Sequence, residues 1–180
     1  MMSMSSDYKL HFIHGRRSVR VYSPGEIAVE TVTQVLQAAM AAPSAMTKDP
    51  WRFIIVRRQE SLGALADALP GGKMLKTATL AIVVCGDLDV AFERQISFLL
   101  QDCSAAMENL LLAAHVLGLG ACWVGVHPNE NAVRALKDMF GLPARVVPMA
   151  AASLGLPGEE PDARTRYNPA YVHSEKWSQS

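Results

Sequence analysis

Apolar positions in this chain follow two patterns, recurrence at three- and four-residue spacing and short uninterrupted runs, and these mark out its helices and strands. From about Phe92 to Leu117 the apolar positions Ile96, Leu99, Leu100, Cys103, Met107, Leu110, Leu111 and Ala114 keep a helical period, which predicts the longest helix and the centre of the core. Ile27, Val32, Val35, Leu36, Ala39 and Met40 predict a helix from about Glu26 to Ala41, entered through the turn Ser23-Pro24-Gly25-Glu26 and stopped by Pro43. Shorter helices are expected from Asp7 to His14, closed by Gly15; from Ser61 to Leu69, closed by Pro70-Gly71-Gly72; and from Glu130 to Phe140, closed by Gly141. The runs Trp51 to Val56, Leu80 to Cys85, Ala121 to Val126 and Val146 to Leu154 read as strands. Pro43 to Pro50 is a loop bounded by prolines, and Gly155 to Asp162 reads as a linker to a tail. Helices first, then strands alternating with helices and a final strand, indicate one mixed α/β or α+β domain, with the sheet topology left open.

With 180 residues at 50% hydrophobic composition, the chain can bury a sizeable single core. Its 17 basic and 17 acidic residues cancel, so no broad field favours nucleic acid or an anionic membrane, and any anion site must be local. No apolar stretch approaches the roughly 20 residues that cross a bilayer. Residues Met1 to Ser6 have neither the basic start nor the apolar centre of a signal peptide and read as a frayed tail. Cys85, Cys103 and Cys122 form no even disulfide set and no CxxC pair, which fits a reducing cytoplasm.

Arg16-Arg17-Ser18-Val19-Arg20 puts three guanidinium groups and a hydroxyl into five residues. Read alone, the cluster is either a solvated helix end or a local anion site, since a guanidinium fork matches phosphate oxygens. Gly118-Leu119-Gly120 does not open a dinucleotide fingerprint, because a long helix precedes it and an extended segment follows; it reads as a helix cap. The histidines join no Cys or carboxylate set at metal-ligand spacing. Neither Cys85 nor Ser44 has a nearby His and carboxylate to activate it, and Cys85 reads as a core thiol. With no acid, base, nucleophile or metal constellation in the chain, an enzyme here would rely on a cofactor for its chemistry.

The arginine cluster, Ala42-Pro43-Ser44, Pro50-Trp51-Arg52-Phe53 and the stretch from Leu111 to Gly125, with Gly118-Leu119-Gly120-Ala121-Cys122-Trp123-Val124-Gly125 at its heart, resemble the nitroreductase family of FMN-dependent oxidoreductases. Lys73-Met74 and Gly155 through Arg166 with Trp177 fall in the same order, so the resemblance spans nearly the whole chain. It implies a single α+β domain with a central, mostly antiparallel sheet flanked by helices. It also implies an interlocked homodimer with FMN at the subunit interface, and a C-terminal extension over 155–180 that packs on the partner. By position, Arg16, Arg17, Ser18 and Arg20 would hold the FMN phosphate and ribityl chain, joined by Arg164 and Arg166. Pro43, Ser44 and Thr47 would reach the flavin from the partner subunit. Trp123, Val124 and Gly125 would lie along the isoalloxazine, with a backbone N–H near Gly125 donating to N5. Lys73 would sit near the pyrimidine end; without the resemblance it reads as a solvated loop lysine, and Trp123 as core or interface packing.

The chain departs from the family pattern at Thr47 and Asp49, where asparagine and glutamine are common, so the usual amide contacts to the flavin edge are altered. Asp49 either adds a carboxylate near the site or turns to Lys48 or solvent. The activity the resemblance implies is hydride transfer from NADH or NADPH, through flavin N5, to an electron-poor small molecule such as a nitroaromatic or quinone. No protein side chain is expected as a catalytic nucleophile, and no metal. The alternatives are a specialised family reaction, such as reductive dehalogenation or flavin fragmentation, and a flavin-binding dimer of the same fold without turnover.

Overall fold

The run Leu80-Ala81-Ile82-Val83-Val84-Cys85 offers no polar residue to turn toward water, so its strand must be covered on both faces. The computed structural model, which describes residues 6–162 and 165–177, does this with helices on either side of an antiparallel sheet. In chain order the elements are α1 (Ser6–Gly15), β1 (Tyr22–Ser23), α2 (Val29–Met40), β2 (Trp51–Val56), α3 (Gln59–Ala68), β3 (Leu80–Asp87), α4 (Ile96–Val116), β4 (Gly120–Gly125), α5 (Glu130–Phe140) and β5 (Val146–Pro157). Short 3-10 turns intervene at Ala45–Thr47, Lys73–Lys76, Phe92–Arg94 and Pro169–Tyr171.

The main strands lie in the order β2-β3-β5-β4, each neighbouring pair antiparallel, and β1 pairs with the end of β5 through Tyr22↔Pro157 and Ser23↔Leu156. This is the expected α+β architecture. Strand alternation divides β3 cleanly. Leu80, Ile82 and Val84 join α2 and α4 in one core, while Ala81, Val83 and Cys85 join α3 and α5 in the other. Along α4, Leu99, Cys103, Met107, Leu110 and Ala114 are buried, the stripe that the three- and four-residue spacing predicts. Gly118 adopts φ +74 just past its end, the left-handed turn that fits the cap reading.

Several sequence expectations shift. The helix expected from Glu26 starts at Val29, because Ile27 is buried in the core in the irregular chain ahead of it. The helix expected from Phe92 starts at Ile96, after a turn in which Glu93 and Arg94 take positive φ. Gly155, Leu156 and Pro157, read as the start of a linker, are instead the last three residues of β5, paired with Gly120, Ser23 and Tyr22. The frayed-tail reading of Met1 to Ser6 falls outside the described residues apart from Ser6, which opens α1.

Candidate functional site

β4 pairs with β5 on one side, which leaves its other edge to the segment leaving α1. The N–H of Val19 donates to the carbonyl of Ala121 at 3.0 Å, and Ser18 bridges Ala121 in parallel. Gly120 permits this approach, since a Cβ there would stand 2.7 Å from Val19 Cγ1. The arginine cluster is thus seated on the edge of the sheet rather than trailing from a helix end. Because the Ala121 carbonyl faces that outer edge, the two-residue alternation of a regular strand turns the backbone groups of Trp123 and Gly125 the same way. Alternation thus aims the Gly125 N–H at the outer edge, and a Cβ on Gly125 would meet nothing within 4 Å. Trp123 is 36% exposed beside it, while Val124 turns inward to the α3 and α5 core.

The cluster's own side chains divide. Ser18, Arg20 and Arg16 lie close enough to the Cys122 thiol to lower its pKa, but burial outweighs them and raises it, and the thiol donates to the Trp123 carbonyl at 3.6 Å. Arg16 lies 3.0 Å through Nε from Glu108 Oε1 of α4, an ion-pair distance at an angle that leaves Nε without a hydrogen bond. Arg17 and Val19 face the other way. They line an open cavity of about 950 Å³ with His11, His115 and Glu159. Burial lowers the His115 pKa there, reinforced by Arg16 and His11. The buried Arg17 Nε also has no hydrogen-bond partner among the described residues.

Two residues that the sequence did not single out fix the segment's course. Glu159 accepts the N–H groups of Arg20 at 2.5 Å and Val21 at 3.1 Å, tying the chain after β5 to the arginine strand. Tyr22 Oη donates to the carbonyl of Val19 at 2.9 Å and lies 2.6 Å from Ser153 Oγ, and burial pushes its pKa up to about 12. Both links span more than a hundred residues of sequence or sit on a two-residue strand, so no local pattern announces them.

The remaining expected site residues lie on other segments of the chain. No hydrogen bond or ion pair among the described residues joins Lys73, exposed at the head of its 3-10 turn, to the arginine strand or β4. Pro43, Ser44 and Thr47 form a loop between α2 and β2, in which Ser44 Oγ donates to Asp49 Oδ1 at 2.5 Å and accepts the Asp49 N–H at 3.0 Å. Asp49 therefore closes the loop on Ser44 while remaining exposed, and no ion pair with Lys48 is formed among the described residues. Thr47 Oγ1 donates back to the Met46 carbonyl at 2.7 Å. Arg166 is exposed, and Arg164 lies outside the described residues. No group of three or more candidate metal ligands occurs among the described residues, and none of their helices is long and apolar enough to cross a membrane.

The residues of this edge suit a flavin mononucleotide. Arg16, Ser18 and Arg20 on one side of the segment provide anion donors, the buried Arg16 Nε has no hydrogen-bond partner among the described residues, and the outward-facing N–H of Gly125 stands at a position without a side chain.

Comparison with known proteins agrees. The model of the nitroreductase family matches residues 13–72 and 67–156. An Archaeoglobus fulgidus protein named as a candidate NADH dehydrogenase/NAD(P)H nitroreductase is 45% identical over 171 residues, covering 93% of this chain and 98% of its own. The crystal structure of a protein of the same description from Parabacteroides distasonis superposes with TM-score 0.89 at 36% identity, over 94% of this chain and 99% of that one. An FMN-dependent nitroreductase from Clostridium difficile superposes with TM-score 0.85 at 30% identity, over 93% and 99%. In sequence and in fold, this chain belongs to the nitroreductase family.

Proposed function

We propose that the protein is an NAD(P)H-dependent FMN oxidoreductase that works as a homodimer in the cytoplasm. The observation that carries this reading is the arginine strand seated on β4, which sets Arg16, Ser18 and Arg20 beside the free edge where Gly125 presents its N–H. The likeness to an FMN-dependent nitroreductase supports the same cofactor.

Bound there, FMN supplies two-electron chemistry, taking hydride from NADH or NADPH and delivering it to an electron-poor acceptor such as a nitroaromatic or quinone. The chain's own residues bind and orient. Arg16 and Arg20 anchor the phosphate, with Arg164 and Arg166 from the tail, and charge-assisted bonds of this kind are the strongest the chain can offer an anion. The Ser18 hydroxyl serves the phosphate and ribityl end, and Arg17 contributes from the far side of the strand. The Gly125 N–H donates to the flavin edge, with Trp123 and Val124 framing it, and Lys73 adds positive charge at the pyrimidine end.

Pro43, Ser44 and Thr47 are assigned to the flavin of the partner subunit. None of the loop's hydrogen bonds among the described residues reaches the arginine strand of the same chain, as fits a site built from two. The exposed apolar surface of α1 (Leu10, Phe12 and Ile13) and of the tail (Tyr167, Tyr171, Val172 and Trp177) supports the same. The extension packing on the partner then runs from Gly158. The Asp49 carboxylate, used within the loop by Ser44, is no obstacle to turnover. Anaerobic mixing of the FMN-loaded protein with NADH or NADPH tests the reading: an enzyme bleaches and is recoloured by an acceptor, whereas a binding module stays yellow.

A further inference from the structure

The buried stripe of α4 carries one carboxylate, Asp102, at 5% exposure between Leu99 and Ala106. Its Oδ1 accepts the backbone N–H of Ala45 at 2.9 Å, and its Oδ2 is buried with no hydrogen-bond partner among the described residues. An acid placed there at a desolvation cost, with one oxygen unsatisfied, calls for a function.

Ala45 begins the 3-10 turn of the 43–49 loop, whose backbone is strained: Met46, Thr47 and Asp49 take φ of 50°, 52° and 49° without being glycine. The loop's remaining bonds are mostly internal, Ser44 with Asp49, Thr47 N–H to the Ser44 carbonyl and Lys48 N–H to the Ala45 carbonyl. Two hydrogen bonds tie it to the rest of the described chain, Arg52 Nη1 to the Asp49 carbonyl at 3.3 Å at its exit and Asp102 at its entry. We propose that Asp102 is a positioning residue for flavin binding: through Oδ1 it fixes Ala45, and so holds Pro43, Ser44 and Thr47 in the geometry they present to the cofactor of the partner subunit. This rests on the assignment of the loop to a flavin site. The acceptor, not the charge, does the positioning, so an asparagine that keeps a carbonyl oxygen at Oδ1 replaces it.

Four full-length proteins test this: wild type, Asp102→Ala, Asp102→Asn and Ala45→Pro. The proline removes the donor and puts its ring Cδ where the N–H pointed, so the Asp102 carboxylate must swing away; the backbone accepts it, since it begins the 3-10 turn and follows Ser44 at φ −135 and ψ 156, the conformation that precedes proline. Hydrogen–deuterium exchange on flavin-free protein should quicken about tenfold or more at Thr47 and Lys48 in Asp102→Ala and Ala45→Pro, and stay within about threefold of wild type in Asp102→Asn. The dissociation constant for FMN should rise about tenfold in the first two and return to within about threefold in Asp102→Asn. If Asp102→Ala fails to fold, Ala45→Pro decides. Unchanged exchange and FMN affinity in Ala45→Pro overturn the proposal, as does an Asp102→Asn variant as impaired as Asp102→Ala. Wild type that binds no FMN, with the exchange pattern as expected, sinks the flavin assignment and leaves Asp102 as the anchor of the loop.

Discussion

The N–H of Val19 and the carbonyl of Ala121 lie 3.0 Å apart, and this bond seats a basic stretch of sequence on the edge of β4, where the proposed flavin site has one wall. It fixes the segment against β4 at the point from which alternation along β4 turns the Gly125 N–H outward. The neighbouring Gly120 is what lets the two backbones meet.

Gly120→Ala should therefore damage the site and the fold together. The new methyl group would stand 2.7 Å from Val19 Cγ1 and 3.4 Å from the Pro157 backbone, so Val19 must move. We expect a stability loss of about 1–3 kcal/mol by urea denaturation, typical of overpacking, accompanied by weaker FMN binding. Wild-type stability in this variant would mean that the contact is looser than described.

The division of the arginines gives a graded expectation. Arg16→Ala and Arg20→Ala should each weaken FMN about 10- to 100-fold, the loss of a charge-assisted contact, while Arg17→Ala costs about threefold or less. Riboflavin, which lacks the phosphate, should bind all three variants as it binds wild type. Fluorescence titration with both ligands checks this, and a riboflavin loss equal to the FMN loss would return the arginines to a general structural role.

Burial pushes the Cys85 and Cys103 thiols up to about 12. In the unfolded chain they ionise near 9, so above that pH the unfolded state binds fewer protons than the native one. Their contribution is complete below about pH 9 and drains away as pH rises toward 12, by up to ~1.4 kcal/mol per pH unit for each thiol. Urea unfolding at pH 8, 9 and 10 under reducing conditions should show this decline, and Cys103→Ala should make it shallower. Parallel curves for variant and wild type would contradict it.

Periodicity along the chain is enough to place the long helix, the four main strands and the loop between Pro43 and Pro50, because each carries its burial pattern within a few residues. β1 escapes such a reading, since a two-residue strand has no period and exists only through its pairing with Leu156 and Pro157. The arginine cluster is visible as composition, but its split into Arg16, Ser18 and Arg20 against Arg17 requires knowing that the segment runs extended on β4. Glu159 is reached only across 139 residues of sequence from Arg20, so nothing local marks it. Asp102 did leave a signal: it is an acid three residues after Leu99 on the stripe of a helix that otherwise buries apolar side chains. Asp49, with Ser44 five residues before it, could have been foreseen as the short-range partner of a turn.

The proposed function requires that this chain hold FMN and use it with a nicotinamide donor. The visible spectrum of the purified protein, supplemented with FMN, freed of excess and then treated anaerobically with NADH or NADPH, tests it most directly. A working enzyme retains a flavin band that bleaches with one or both nucleotides and returns when a quinone or nitroaromatic is added. A protein that retains no flavin, or a flavin band that neither nucleotide bleaches, would contradict it.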